Sequence, residues 1–175
     1  MAHVDQLWAG WRAEYVMRAA DQSRQRRSGE DVPVCLLCEL KDQGADHYVL
    51  ARNDECFVVM NLYPYSNGHL MVVPHDHHQN LDDYPESVRT SAMEMTATAT
   101  HLLREIYSPD GINAGINMGE AAGAGVPGHL HIHVLPRWIS DAGFITTIAN
   151  TRTLPETLES SYAKLHNAWP PQERV

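Results

Sequence analysis

The chain has 175 residues, of which 43% are hydrophobic and 20% are charged, a composition typical of a globular protein with one domain and a sizeable core. Its formal net charge of −9 argues against broad nucleic-acid binding, which depends on neutralising phosphates. No apolar run is long enough for a transmembrane helix, and the first residues lack the basic and apolar blocks of a signal peptide. We therefore expect a cytoplasmic protein that binds neither nucleic acid nor membrane.

Cysteines are rare in this sequence, and two of the three form the motif Cys35-x-x-Cys38. Three cysteines are too few for a disulfide scaffold. In a cytosolic protein this spacing indicates metal or redox chemistry, although both residues could instead be small core residues. The third, Cys56, lies in an apolar segment and is expected in the core.

The middle of the chain predicts two strands followed by a helix. The apolar runs 56–60 and 69–73 predict an antiparallel pair of strands, separated by residues typical of turns. Residues 83–107 predict a helix, because apolar residues recur at steps of three and four. Asp83 and Glu86 have the spacing of a capping box at its start.

Alternating polar and apolar residues predict two more strands, at 112–118 and 129–135. A loop with four glycines and a proline, 119–128, separates them. A short helix is expected near 155–167. This order of elements indicates an α+β domain built on an antiparallel sheet.

The last predicted strand carries three histidines at alternate positions. His129, His131 and His133 therefore share one face, while Leu130 and Ile132 face the core. Three buried rings on one face are costly to explain by packing alone, because each needs hydrogen-bond partners. The outer two lie about 13 Å apart along the strand, too far to hold one metal ion together with a bond of about 2 Å each.

A chain of histidines with a central nucleophile is the interpretation we favour. Neutral imidazole is a good nucleophile near neutral pH and displaces oxygen from phosphorus when fixed donors hold the developing charge. The loop 119–128 can turn backbone N–H groups towards an anion, although it is not a P-loop. The sequence therefore predicts phosphorus chemistry at the middle histidine.

The segment from His129 to Leu135 matches the motif His-φ-His-φ-His-φ-φ and resembles the histidine triad superfamily. Pro136-Arg137-Trp138 is similar to the branch of dinucleoside tetraphosphate phosphorylases and hydrolases. The resemblance covers residues 35–145 and implies a homodimer with a five-stranded antiparallel sheet, one long helix and a short C-terminal helix. Residues 1–34 would form an N-terminal arm, and 146–175 a C-terminal extension.

The resemblance also implies roles for individual residues. His131 would attack phosphorus and form a nucleotidyl-histidine intermediate, while His129 and His133 would position it and contact phosphate. His69 matches another active-site histidine, Asn61 a residue that holds the ribose hydroxyls, and Asn117 a residue that orients the phosphate. Gly123, Ala124 and Gly125 would line the phosphates.

Two details of the resemblance concern the acceptor and a metal. The phosphorylase-like members often carry a serine or threonine where this chain has Ala124-Gly125-Val126-Pro127, which leaves phosphorolysis and hydrolysis both open. Several bacterial members hold structural zinc with residues that correspond to Cys35, Cys38, His77 and His129. Either His75 or His78 could replace His77 in that set.

The function predicted from the sequence is thus an enzyme acting on dinucleoside polyphosphates or another adenine nucleotide. One alternative is a hydrolase of AMP linked through nitrogen. A second is a nucleotide-binding interaction protein with little turnover. A third is a zinc-stabilised domain whose histidines serve structure alone.

Overall fold

The structure is a computed structural model that describes residues 35–139, 141 and 155–175. The predicted N-terminal arm, 1–34, and the start of the predicted C-terminal extension lie outside the described residues. The predicted division into arm, domain and extension stays a prediction. The described helices and strands are α1 Leu36–Leu40, β1 Val49–Arg52, β2 Cys56–Met60, β3 Leu70–Pro74, α2 Glu86–Tyr107, β4 Gly111–Ile116, β5 Ile132–Arg137 and α3 Leu158–Ala168.

The strands form a five-stranded antiparallel sheet in the order β1-β2-β3-β5-β4. This arrangement, with α2 as the long helix and α3 as the short C-terminal helix, confirms the predicted α+β fold. The interior position of β5 matters most for the candidate site, because this strand pairs with β3 on one side and β4 on the other. His133 consequently lies opposite Met71 of β3 and Gly115 of β4.

Helices α2 and α3 cover one face of the sheet. Leu130, Ile132 and Val134 enter the main core on this face, as the alternation predicts. Leu165 and Trp169, at the C-terminal end of the chain, are fully buried in the same core. Burying side chains of this size contributes roughly 1.5–3 kcal/mol each, so α3 is an integral part of the fold.

The opposite face carries a smaller apolar cluster, which supports α1. Phe57, Val59 and Val73 from the sheet pack there with Leu37, the buried residue of α1. Because Cys35 and Cys38 flank Leu37, this packing holds both thiols beside the histidine face of the sheet.

Two local predictions are wrong. The capping box is not formed, because α2 begins after Pro85 without a side-chain cap, and Asp83 instead accepts a hydrogen bond from Asn80. The strand predicted at 129–135 begins only at Ile132. The reason is that the N–H of Leu130 donates to the carbonyl of His78, in the segment after β3, at 2.8 Å.

The sequence pattern did not predict α1 or β1. Strand β1 has four residues, too few to show alternation, and three of them are buried. Helix α1 has five residues and forms on the apolar cluster around Leu37. Among the described residues, no helix combines the length and apolar character needed to span a membrane.

Candidate active site and metal-binding cluster

The three histidines of the motif differ in burial and in partners. His129 and His131 are buried, with 1% and 3% of their surface exposed, whereas His133 is half-buried. The rings of His131 and His133 lie edge to face with centroids 4.9 Å apart. Each ring therefore has its own environment, and the hydrogen bonds decide which nitrogen carries the proton.

The ring of His131 is fixed by a main-chain carbonyl. Its Nδ1 lies 2.9 Å from the carbonyl oxygen of His129, and because that oxygen can only accept, Nδ1 is the donor. Neutral His131 then has its lone pair on Nε2. This is the tautomer that a histidine nucleophile needs.

His133 accepts a hydrogen bond from another buried histidine, His69, which directly precedes β3. Nε2 of His69 lies 3.0 Å from Nδ1 of His133. The main-chain N–H of Tyr65 donates to Nδ1 of His69 at 3.1 Å, so the proton of neutral His69 is on Nε2 and points to His133. His133 consequently carries its own proton on Nε2.

The electrostatics of the histidine cluster favour neutral rings. Burial lowers the pKa of His131, and burial together with the neighbouring His131 lowers the pKa of His133 to about 4. Burial likewise lowers the pKa of His129 to about 4. Neutral imidazole is the form that acts as a nucleophile or as a metal ligand, so both uses are available near neutral pH.

Four predicted metal ligands converge on one point. The donor atoms of Cys35, Cys38, His77 and His129 all lie within 4.8 Å of one another. Nδ1 of His129 is 3.5 Å from the sulfur of each cysteine, and Nδ1 of His77 is 3.3 Å from that of Cys38. Tetrahedral zinc with ordinary Zn–S and Zn–N bonds separates sulfur and nitrogen ligands by about 3.6 Å. The set therefore fits a four-coordinate metal ion.

The ring of His129 is oriented for ligation by its other nitrogen. Nε2 donates to the carbonyl oxygen of Pro74 at 2.8 Å, which leaves the lone pair of Nδ1 facing the two sulfurs. A carbonyl that fixes the outer nitrogen of a histidine is the usual support for a metal ligand. Burial and the adjacent Cys35 raise the pKa of the Cys38 thiol, and a bound divalent cation would favour both thiolates.

The other two histidines considered for the metal are engaged elsewhere. Nε2 of His75 donates to the carbonyl oxygen of Asn53 at 2.8 Å, and its ring stacks on Phe57. His78 packs edge to face against Tyr84, with centroids 5.1 Å apart. Among the described residues, His77 is the histidine that completes the cluster with His129.

The remaining predicted site residues lie around the histidines. Asn61 directly follows β2, and its Nδ2 is 3.4 Å from Nδ1 of His69. Ile116 pairs with Ile132, so Asn117 directly follows β4 at the end of the sheet where β5 begins.

Some backbone N–H groups of the glycine-rich loop, residues 119–128, form hydrogen bonds within the loop. Gly119 and Gly123 have φ of 80° and 84°, values that favour glycine. The N–H groups of Gly123 and Ala124 donate to the carbonyls of Glu120 and Gly119, so a bound phosphate would have to replace these bonds. Gly125 is half-buried, and Ala124 is buried.

Tyr65 is a site residue that sequence reasoning missed. Its ring lies over both histidines, with centroids 4.8 Å from His69 and 6.1 Å from His133. Its segment, between β2 and β3, is rich in turn residues and has no hydrophobic periodicity. The pattern therefore contains no signal for the direction of this ring or for the main-chain donor.

A family comparison agrees with this geometry. The model of the family described as "HIT domain" matches residues 43–138, more than half of the chain. These residues include His69 and the three histidines of the motif, His129, His131 and His133. The chain belongs to the HIT domain family.

Named relatives add detail. A protein called AP-4-A phosphorylase from Mycobacterium tuberculosis H37Rv is 34% identical over 167 residues, which are 95% of this chain and 85% of that protein. Adenylylsulfatase HINT3 from Arabidopsis thaliana is 28% identical over 59% of this chain and 52% of that protein. The crystal structure of a Zn-bound histidine triad family protein from Mycobacterium smegmatis superimposes with a TM-score of 0.63, at 27% identity, over 77% of this chain and 92% of that one.

The depressed pKa of His133 predicts how stability depends on pH. Its value in the folded protein is about 4 against an ordinary 6.5, so between these pH values the unfolded chain binds more protons. Stability should be full above pH 6.5 and decrease as the pH falls towards 4, by up to about 1.4 kcal/mol per pH unit from this group. Urea unfolding of the wild type and of His133→Gln, compared at several pH values, measures the contribution. The variant should lose less stability on acidification, and parallel pH profiles would contradict the assignment.

Proposed function

We propose that this protein transfers a nucleotidyl group from a dinucleoside polyphosphate to inorganic phosphate through a covalent intermediate on His131. The observation that carries the proposal is the hydrogen bond from Nδ1 of His131 to the carbonyl of His129, which leaves a lone pair on Nε2. The phosphorylase named among the relatives, which aligns with 95% of this chain, supports both the substrate class and the acceptor.

The first step is displacement at the phosphorus attached to one nucleoside. The Nε2 lone pair of His131 forms the N–P bond. The P–O bond to the bridging oxygen breaks, its electron pair stays on that oxygen, and a nucleoside polyphosphate leaves. The bond from Nδ1–H to the His129 carbonyl stabilises the positive charge that develops on the ring. Nε2–H of His133 is available to donate to a phosphoryl oxygen.

In the second step an oxygen of inorganic phosphate attacks the same phosphorus. The N–P bond breaks, and its electron pair returns to Nε2 of His131. An anionic oxygen acceptor needs no proton removed, whereas water does. Neutral His133 has Nδ1 occupied by His69 and a proton on Nε2, so it is poorly placed to act as a base.

Product analysis with diadenosine tetraphosphate tests this function. Purified protein should form ADP and ATP only when inorganic phosphate is added, because phosphate takes the AMP group from His131. A matched reaction without phosphate is the control. AMP and ATP in that control would contradict phosphate as the acceptor and indicate hydrolysis. No products in either reaction would contradict the polyphosphate substrate and favour a binding protein with little turnover.

We further propose that Cys35, Cys38, His77 and His129 hold structural zinc. Their donor types and separations fit tetrahedral zinc, and a solved relative is described as Zn-bound. All four coordination positions are taken by side chains, so the ion would stabilise the fold and leave no position for substrate. It would tie α1 to the segment that precedes β5.

Metal analysis of matched histidine variants tests the zinc site. The wild type should contain about one zinc ion per chain, as expected for a closed four-ligand site. His77→Gln should lose most of it, since it removes one ligand. His75→Gln should retain it, because His75 bonds to the Asn53 carbonyl instead. Equal zinc content in the two variants would contradict the ligand assignment.

The remaining expectations concern assembly and location. A homodimer is supported by β4, whose residues are largely exposed and which lies at one edge of the sheet that the described strands form. An exposed edge strand is a ready site for pairing with another chain. Sedimentation equilibrium that found only monomers would exclude this proposal.

The cytoplasmic location remains a prediction from the sequence.

A further inference from the structure

Two N–H donors converge on one nitrogen of a fully buried histidine, His69. The main-chain N–H of Tyr65 lies 3.1 Å from Nδ1, and the side-chain amide nitrogen of Asn61 lies 3.4 Å from it. The orientation of the amide is set by its oxygen, which accepts from the N–H of Tyr63 at 2.9 Å. Nδ1 of His69 is therefore held as an acceptor by both neighbours.

This arrangement determines the protonation of the pair His69 and His133. With Nδ1 an acceptor, His69 has its proton on Nε2, 3.0 Å from Nδ1 of His133. An additional proton on His133 would place two N–H groups opposite each other. Moving the His69 proton to Nδ1 would place it against two donors, the main-chain N–H of Tyr65 and the side-chain amide of Asn61. The ring of Tyr65 also covers both histidines. The pair is therefore restricted to its neutral form.

A neutral pair limits which leaving groups the site can expel. A phosphoanhydride oxygen leaves as a stable phosphate anion and requires no proton. The nitrogen of an AMP amide must take up a proton as the P–N bond breaks, because the bare amide anion is far too basic to leave. His133 can donate a hydrogen bond through Nε2–H, but it has no second proton to transfer.

We propose that Asn61, together with the Tyr65 N–H, makes this site selective for phosphoanhydrides over AMP amides by keeping His69 and His133 neutral. Asn61 is then a specificity-determining residue that acts through His69. The inference rests on the proposed nucleotidyl transfer to His131 and extends it to the choice of leaving group.

The test compares two substrates that share AMP and differ in the leaving atom, diadenosine tetraphosphate and adenosine 5′-phosphoramidate. Asn61→Asp replaces the amide donor with a carboxylate, which would accept a hydrogen bond from Nδ1–H of His69. Its negative charge would offset the remaining Tyr65 N–H and allow the pair to hold an extra proton. Asn61→Leu is the matched control, because it has the same branched shape with neither donor nor acceptor. The kcat/KM values of both substrates, with phosphate present, are measured for the three zinc-loaded proteins.

The wild type should prefer the anhydride by at least about 100-fold, and Asn61→Asp should reduce that preference at least about tenfold through faster amide cleavage, since positioned proton transfer contributes roughly 100- to 10,000-fold. Asn61→Leu should slow both substrates and reduce the preference less than Asn61→Asp does, because the Tyr65 N–H still faces Nδ1 of His69. A wild type that cleaves the amide as fast as the anhydride, or an unchanged preference in Asn61→Asp, would overturn the inference.

A second measurement does not depend on turnover. Nitrogen-15 NMR of the histidine rings in the wild type should show Nδ1 of His69 and of His133 unprotonated at neutral pH, and Asn61→Asp should shift His69 Nδ1 towards the protonated form. Protonated Nδ1 atoms in the wild type would overturn the inference even if the enzyme is active. If neither substrate is cleaved but the NMR result holds, the proposed function fails and the neutral pair stands.

Discussion

The hydrogen bond from Nδ1 of His131 to the carbonyl of His129 is the interaction on which the site depends. It keeps the proton of the buried His131 ring on Nδ1 and leaves a lone pair on Nε2. His129 can present that carbonyl because its own ring is held by the carbonyl of Pro74 and faces the two cysteines. The candidate metal cluster and the proposed nucleophile thus share one residue, His129. Its ring faces the cysteines, and its main-chain carbonyl accepts from His131.

The packing of the sheet explains why the short segment from His129 to His133 contains both a candidate metal ligand and the proposed nucleophile. Leu130, Ile132 and Val134 are buried against α2, so the intervening histidines are held on the other face. The chain joins the sheet only at Ile132, which leaves His129 outside the regular pairing and close to α1. A strand that began at His129 would pair this residue along β3 instead of turning its ring to the cysteines.

Much of the fold and of the candidate site could be predicted from the sequence, because the hydrophobic pattern is periodic and the histidine motif is specific. The alternation around His131 predicted a shared histidine face, and the apolar stripe of residues 83–107 predicted α2, which the structure has at Glu86–Tyr107. The start of β5 and the hydrogen bond of Leu130 to His78 were not predictable, because they depend on a contact between distant segments.

Which ring nitrogens of His69 and His133 carry protons could also not be predicted from the sequence. It is set by the main-chain N–H of Tyr65 and by the orientation of the Asn61 amide, and neither depends on residue type in a way that a pattern can show. The resemblance named His77 as a metal ligand and left His75 and His78 open. The structure distinguishes them by where the chain after Pro74 turns, which brings His77 to Cys38 and His75 to Asn53.

Trapping the covalent intermediate tests the central claim most directly. The protein is mixed with diadenosine tetraphosphate in the absence of inorganic phosphate, quenched in alkaline denaturant that preserves N–P bonds, and mapped by peptide mass spectrometry. AMP should be found on His131 and should disappear when phosphate is added before the quench, and His131→Asn should carry none. AMP attached to a different residue, or full turnover by His131→Asn, would contradict the account.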